Sequence, residues 1–505
     1  MGKSVYETIV ENMTRDGKLP EGFSLDAPAK AGEVRFAPGA MEGTMAYHWG
    51  IKFDKKGAEK LAKKILLLCG EKEISENKKK AIEKKIENAV NKSHCLSVVD
   101  NMQEELYKNG EKINVDKLFD YGCRLAFEGT DIECIKLGIA LLGMFNAADE
   151  WLCERLSCLG VYEELTLFVA VAFSNYKNGN SLLFDLAKRV NGWGRIHILE
   201  RLEPENDEIK EWIFKCGYKN NIMEEYSALG CAKKGDYIGI LRKDCLDREE
   251  LDASCELFCA LIDEGPVKGM SVYEHAEEAV KLLVGHLKRQ AESILHFGTV
   301  TDIKRWIEES DLDKKDDLID VCDSILQEDC VKVEIERCIT DGNVWDVNRA
   351  VNLGYKLNMD NSGLIYEAIK RNPGELHWQI NNIKNNREYV EELIKLYEKL
   401  LPLEKMATGA SLDIFPKEYI KEFHAMDSVL NALDKYPALG EKFLISALSS
   451  PGTRGRHSAC RVIEAWIEEG CVSDDIIRSL KAAVKNEVDK ELKDRMNKII
   501  KEVQE

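Results

Sequence analysis

Apolar residues recur at intervals of three and four along most of the chain. Leu61, Ile65, Leu68 and Cys69 keep this spacing, and so do Ile82, Ile86, Ala89 and Val90. Such spacing lines one face of an α-helix and leaves the opposite face free to carry charge. No proline falls between Ala40 and Glu203, so nothing there forces a helix to break. The pattern predicts helices over Asp131–Leu142, Ala148–Leu159, Glu163–Phe173 and Ser181–Val190. Asp116, Asp131 and Ser473 mark expected starts, because their side-chain oxygens can accept from the unpaired N–H groups of a first turn. Gly110, Gly160, Gly179, Gly217 and Gly470 mark expected stops. Alternating strand patterns with paired turn residues are nearly absent. The expected class is all-α.

The stretch 1–50 differs from the rest. Pro20, Pro28 and Pro38 fall there among several glycines, after a short amphipathic start at Val5, Ile9, Val10 and Met13. Phe23, Leu25, Phe36, Met41, Met45, Tyr47 and Trp49 are too apolar for a solvated linker. An irregular N-terminal arm that lies on the body and buries them is expected. Beyond it the chain echoes itself. Trp212-Ile213, Trp306-Ile307 and Trp466-Ile467 each sit near the end of a helix, and Gly194-Arg195 and Gly455-Arg456 each precede an apolar helix. A hairpin of about thirty to forty residues cannot bury its apolar face alone and must stack on its neighbours. The expected architecture is an α-solenoid of HEAT- or armadillo-like helix pairs. It would comprise the arm over 1–50, an array over 51–401, and C-terminal repeats with a cap over 402–505. The terminal stripe of Ile476, Leu480, Val484, Val488, Leu492, Met496 and Ile500 would form that cap.

Composition narrows the function classes. At 505 residues the chain allows about three domains, or one repetitive array. A hydrophobic content of 44% with only 10 prolines excludes a disordered chain. The net charge of −19, from 71 basic and 90 acidic residues, argues against a nucleic-acid partner held through phosphates. Sixteen cysteines are scattered without a Cys-x-x-Cys pair, which suits reduced thiols and a cytoplasmic location rather than a disulfide framework. The longest apolar run, Leu165–Phe173, is far short of the ~20 residues a spanning helix needs, so no membrane partner is expected.

Chemistry is harder to place. His275 and His286 return to nearly one helical face near Glu278 and Glu292, but Glu-x-x-His, the di-iron pattern, does not occur, and no metal is expected. Tyr366 and Lys370 have a dehydrogenase spacing without the glycine-rich loop that should accompany it. Two basic turns open helices and are the candidate binding residues: Trp193, Arg195 and His197 in Asn191–His197, and Arg454, Arg456 and His457 in Pro451–His457. A helix N-terminus with a neighbouring cation can hold an anion. No cofactor is evident from the residues. They point to a binding scaffold for a protein or peptide partner.

The opening MGKSVYET…PEGFSLD over 1–26 and the block NGWGRIHILERL over 191–202 resemble a group of Firmicutes proteins labelled limonene hydroxylase. The resemblance implies a monooxygenase acting on a small apolar terpene, limonene, to give carveol or perillyl alcohol. It also implies NAD-dependent oxidation of those alcohols, with NAD(P)H as cofactor. No catalytic residue carries over with it.

Overall fold

Several helix starts have a local cause. Ser4 accepts from the Glu7 N–H while the Glu7 carboxylate accepts from the Ser4 N–H, a reciprocal cap that begins Val5–Asn12. Asn114, Asp131, Asp149 and Ser473 cap Val115–Glu128, Ile132–Leu142, Glu150–Gly160 and Asp474–Asn486 from one side only, each side chain accepting a first-turn N–H. Asp116 lies inside a first turn instead of capping it. Among the expected stops, Gly470 alone takes a left-handed conformation (φ 66°). Its N–H and that of Cys471 return to the carbonyls of Ile467 and Trp466. Gly179, by contrast, begins Gly179–Ala187, and Gly110 begins a 3-10 turn. At those two positions the backbone turns without left-handed geometry, so glycine is not acting as a stop.

The computed structural model describes residues 3–25, 36–146, 149–311, 315–414, 416 and 418–504. Among these the structure is all-helical, and the nearest approach to a sheet is one isolated bridge between Gly70 and Ile113. No helix among them is long and apolar enough to cross a membrane.

The chain divides into two compact units, one built on Val34–Arg289 and the other on Ile319–Glu505. In the first, Lys55–Leu68 packs on Cys95–Lys108, which packs on Ile132–Leu142. The row continues through Glu163–Ser174, Gly192–Arg201 and Glu225–Lys234 to Arg248–Ile262. Each member rests on the helix two places further along the chain. In the second unit Asp329–Asp341, Ser362–Arg371, Arg387–Leu400, Ile420–Leu433, Thr453–Glu468 and Lys490–Gln504 follow one another in the same way. The apolar stripes meet inside these stacks. Leu61, Ile65, Ile86, Met102, Ile135 and Leu165 lose essentially all exposure in the first unit, as do Ile335, Ile369, Leu430, Ile463 and Met496 in the second.

Three expectations change. The terminal stripe is two helices, Asp474–Asn486 and Lys490–Gln504, because Glu487 turns inward to meet Arg456 and leaves Val488 exposed. The stretch to Gly50 contains helix Val5–Asn12 and a helical segment from Ala40 to Trp49. Within that segment the buried residues are Glu42 and Gly43, while Phe36 and Trp49 stay exposed with their rings in edge contact at 5.9 Å. The Trp-Ile echoes also diverge. Trp466 is fully buried and donates to the Leu433 carbonyl at 2.7 Å, whereas Trp212 is only half-buried against Phe184.

Candidate functional site

The arm is anchored by charge. Lys136 occupies the middle of the nearly continuous apolar helix Ile132–Leu142, so its ammonium is carried into the core of the first unit and is 1% exposed. It donates to Glu133 at 2.8 Å, to Glu164 at 2.7 Å and to Glu42 of the arm. Burial alone would lower its pKa, but the three carboxylates together hold it well above the ordinary lysine range. Burial raises the pKa of Glu42, against the pull of Lys136. The other oxygen of Glu164 accepts from the Gly39 N–H at 2.7 Å, and that of Glu133 from the Cys95 N–H at 2.5 Å. The three carboxylates lie close enough to hold a metal ion, with ligand oxygens within 4.8 Å of one another. Here the lysine nitrogen is the cation that bonds all three.

The Asn191–His197 turn is a helix N-terminus whose N–H groups already meet a carboxyl group of the row. Gly192 is left-handed (φ 55°), which brings the Trp193 N–H to the Glu163 carboxylate at 3.1 Å. Burial pushes the Glu163 carboxyl up to about 7, against the stabilising N–H groups of Trp193 and Gly194. Arg195 folds back, its Nε donating to the Val190 carbonyl at 3.0 Å and its Nη1 to the Lys219 carbonyl at 2.6 Å. Trp193 is buried and packs on Gly43, where any added Cβ would collide with the indole.

Tyr47 stacks on both Trp193 and His197, with centroids 5.7 and 6.2 Å apart, and its hydroxyl donates to Glu200. His48 meets the Tyr226 hydroxyl at 2.6 Å. His197 is 2% exposed, its Nδ1 faces Glu200 at 3.8 Å, and its Nε2 has no hydrogen-bond partner. Burial would raise the Glu200 carboxyl, but His197, Tyr47 and Arg201 hold it down to about 2. His197, Glu200 and Arg201 line a cavity of about 170 Å³ beneath Ala46 and Ile51 of the arm. Leu96, Val99, Leu167 and Phe168 supply its apolar wall, and Asp100, Gln103 and Asn175 lie among them.

In the second unit the Pro451–His457 turn is also internally satisfied. Arg456 is fully buried and pairs with Glu487 through Nε and Nη2 at 2.8 and 3.0 Å. Its Nη1 reaches the carbonyls of Ser450 and Pro451, both at 2.8 Å. Arg454 pairs with Asp427 at 3.1 Å, and His457 lies 3.5 Å from Arg495. Of the six residues expected to bind, Trp193 and His197 stack with Tyr47, whereas Arg195 and Arg456 are spent on backbone and carboxylate partners. Arg195 and Arg456 perform the same act, since each sits in a first turn and bonds the carbonyl five residues upstream.

Elsewhere, His286 accepts from Arg289 and bonds the Leu241 carbonyl at 2.8 Å, while His275 lies 3.8 Å from Glu278. Lys370 sits over the Tyr366 ring at 4.7 Å, an ordinary cation–π contact. Sequence reasoning overlooked Lys136 and Glu163. A signal for the first was present: Ile135-Lys136-Leu137 places a charge on a helix that is otherwise apolar, with Glu133 three residues before it.

No family model matches the chain, and neither does any curated protein. Among solved structures it aligns with a chain described as an engineered protein at 12% identity. The alignment covers 89% of this chain and 99% of that one, with a TM-score of 0.26, which carries no argument.

Proposed function

We propose that the chain is an α-solenoid-like scaffold that binds an extended segment of a protein or peptide partner along its helix row. The reading is supported by one observation above others: the row of the first unit already carries a segment of chain. From Gly39 to Asp54 the arm touches Glu164, Lys136, Trp193, Glu200, Tyr226 and Ser97 in turn, residues drawn from five helices of the row. Its contacts mix ion pairs, ring stacking and backbone hydrogen bonds, the repertoire with which repeat arrays hold extended ligands. A partner segment of similar chemistry, with a carboxylate for Lys136 and an aromatic for the Trp193–His197 surface, would compete with the arm.

The test uses Gly43→Leu, which drives the arm off Trp193, and a fluorescein-labelled peptide of residues 36–54. Anisotropy should show saturable binding to the variant and about tenfold weaker binding to the parent, whose row is occupied. A variant that keeps its helical circular dichroism yet ignores the peptide would overturn the proposal. So would equal binding of a scrambled peptide.

A further inference from the structure

The row of the first unit begins at a strongly basic end. Residues 52–92 carry thirteen lysines and no arginine against seven carboxylates, in a chain whose net charge is −19. Two of those carboxylates are taken from outside the segment, Glu73 by Lys117 at 3.0 Å and Glu83 by Arg124 at 2.6 Å. None of the thirteen lysines forms an ion pair among the described residues. On Lys55–Leu68 the inner face is Leu61, Ile65 and Leu68, and the helix packs on Cys95–Lys108. Lys56, Lys60, Lys63 and Leu67 follow at intervals of four and three, about half a turn away on the outer face. On Glu76–Ser93, Lys78, Lys85 and Lys92 recur every seven residues. They lie about half a turn from Glu83, and so point away from Val115–Glu128, the helix that Glu83 meets. Apolar side chains flank this face: Phe53, three residues before Lys56, is 49% exposed, and Leu67 is 47% exposed. The end of an array needs a polar outer surface for solubility. Charges of both signs serve that need, as on Lys490–Gln504, where Arg495 pairs with Glu464 and Lys498 with Glu502. A single sign without counter-charges, bracketed by exposed apolar residues, calls for an anionic surface.

We infer that the outer face of Lys55–Leu68 and Glu76–Ser93 docks on a bilayer surface rich in anionic lipid. Lysines are flexible point charges and suit a fluid layer of headgroup phosphates. Nucleic-acid recognition favours the fixed fork of arginine, which this face lacks. Phe53 and Leu67 enter the interface at the two ends of one helix, while the lysine stems lie along it with their ammonium groups among the phosphates. The remainder of the chain sums to −25. Its repulsion is screened beyond a Debye length of about 8 Å at physiological salt, so contact is confined to the basic face. Docking of this kind needs no spanning helix. The inference goes beyond the scaffold reading and requires neither the arm nor a peptide partner.

Co-sedimentation of the full chain with vesicles tests it. Phosphatidylcholine vesicles with about one-third phosphatidylglycerol should bind the chain at about 0.1 M salt, about tenfold or more tighter than pure phosphatidylcholine, and about 0.5 M salt should release it. Lys56→Glu/Lys60→Glu/Lys63→Glu, all at exposed positions, should weaken binding about a hundredfold or more. Lys481→Glu/Lys485→Glu/Lys490→Glu makes the same change of charge at exposed positions of the second unit and should cost less than about threefold. Phe53→Ser/Leu67→Ser should cost about tenfold at unchanged charge. Circular dichroism matched to the parent establishes that each variant is folded. No binding to the anionic vesicles, equal binding to neutral ones, equal losses in the two lysine triplets, or an unaffected Phe53→Ser/Leu67→Ser overturns the inference. A DNA duplex or polyglutamate bound as tightly as the anionic vesicles overturns it as well, since the face would then take any polyanion.

Discussion

Lys136→Met is the most informative single change. The substitution keeps the length of the side chain and removes its charge, leaving Glu42, itself 5% exposed, without a cation. Removing one partner of a buried ion pair costs about 3–5 kcal/mol. Glu133 and Glu164 are wetter, with side chains 17% and 21% exposed, so most of that cost falls on the arm carboxylate. The arm also has an escape. Once the cost exceeds the free energy that holds it down, Ala40–Trp49 lifts away and Glu42 regains water. A loss of about 3 kcal/mol corresponds to about a hundredfold rise in the opening constant. Hydrogen exchange resolved over residues 40–49 reads this directly, with residues 132–142 as the internal reference. Adding Glu42→Gln should restore about 1–3 kcal/mol of protection, because a neutral amide no longer demands a counter-charge. If exchange over 40–49 changes less than about threefold in Lys136→Met, or if the second substitution restores nothing, the ion cluster does not anchor the arm.

Three further outcomes are expected. The folded state keeps the Glu163 proton between the ordinary carboxylate range and about 7, where the unfolded chain has released it. Stability from this source is therefore full below that window and falls as pH rises through it, by about 3 kcal/mol in all. Glu163→Gln should flatten the decline in melting temperature between about pH 5 and about pH 7.5; a parent that gains stability over the same range relative to the variant contradicts the assignment. Arg456→Met should cost about 3–5 kcal/mol in urea unfolding of the second unit, and Arg456→Lys should not rescue it, because an ammonium cannot make the forked bonds to Glu487. Gly43→Ala should unmask exchange over residues 40–49 while leaving 132–142 protected, since the atoms nearest the new methyl are those of the Trp193 ring; loss of protection in both segments would mean that the body depends on the arm.

How far the sequence announces this structure depends on distance along the chain. Helix Lys55–Leu68 follows from Leu61, Ile65 and Leu68, and the start of Ile132–Leu142 follows from Asp131, because a stripe and a cap are set by neighbours within one turn or two. The site depends on partners far apart. Glu42 and Lys136 are separated by 94 residues and Arg456 and Glu487 by 31. No local rule pairs such groups, and each reads alone as a solvated charge. Arg195 and Arg456 are basic residues at helix starts, the sequence pattern of an anion site. The acceptor at the first turn is the Glu163 carboxyl, supplied by the preceding helix of the row, a contact that only stacking creates. Glycine misled for the opposite reason. Gly179 and Gly110 look alike in sequence to Gly470, and only the backbone conformation separates a start from a stop.

The fold-back of Arg195 and Arg456 fixes the reading frame of two loops. Each guanidinium closes a ring through its own helix start and the carbonyl five residues earlier, so the loop and the first turn behave as a single clasp of set circumference. Adding or deleting a residue between Val190 and Arg195, or between Pro451 and Arg456, would open the clasp, and in the first loop it would also shift Trp193 against Gly43. Length variation should therefore be tolerated better in the exposed loops that lack such a clasp than at these two turns.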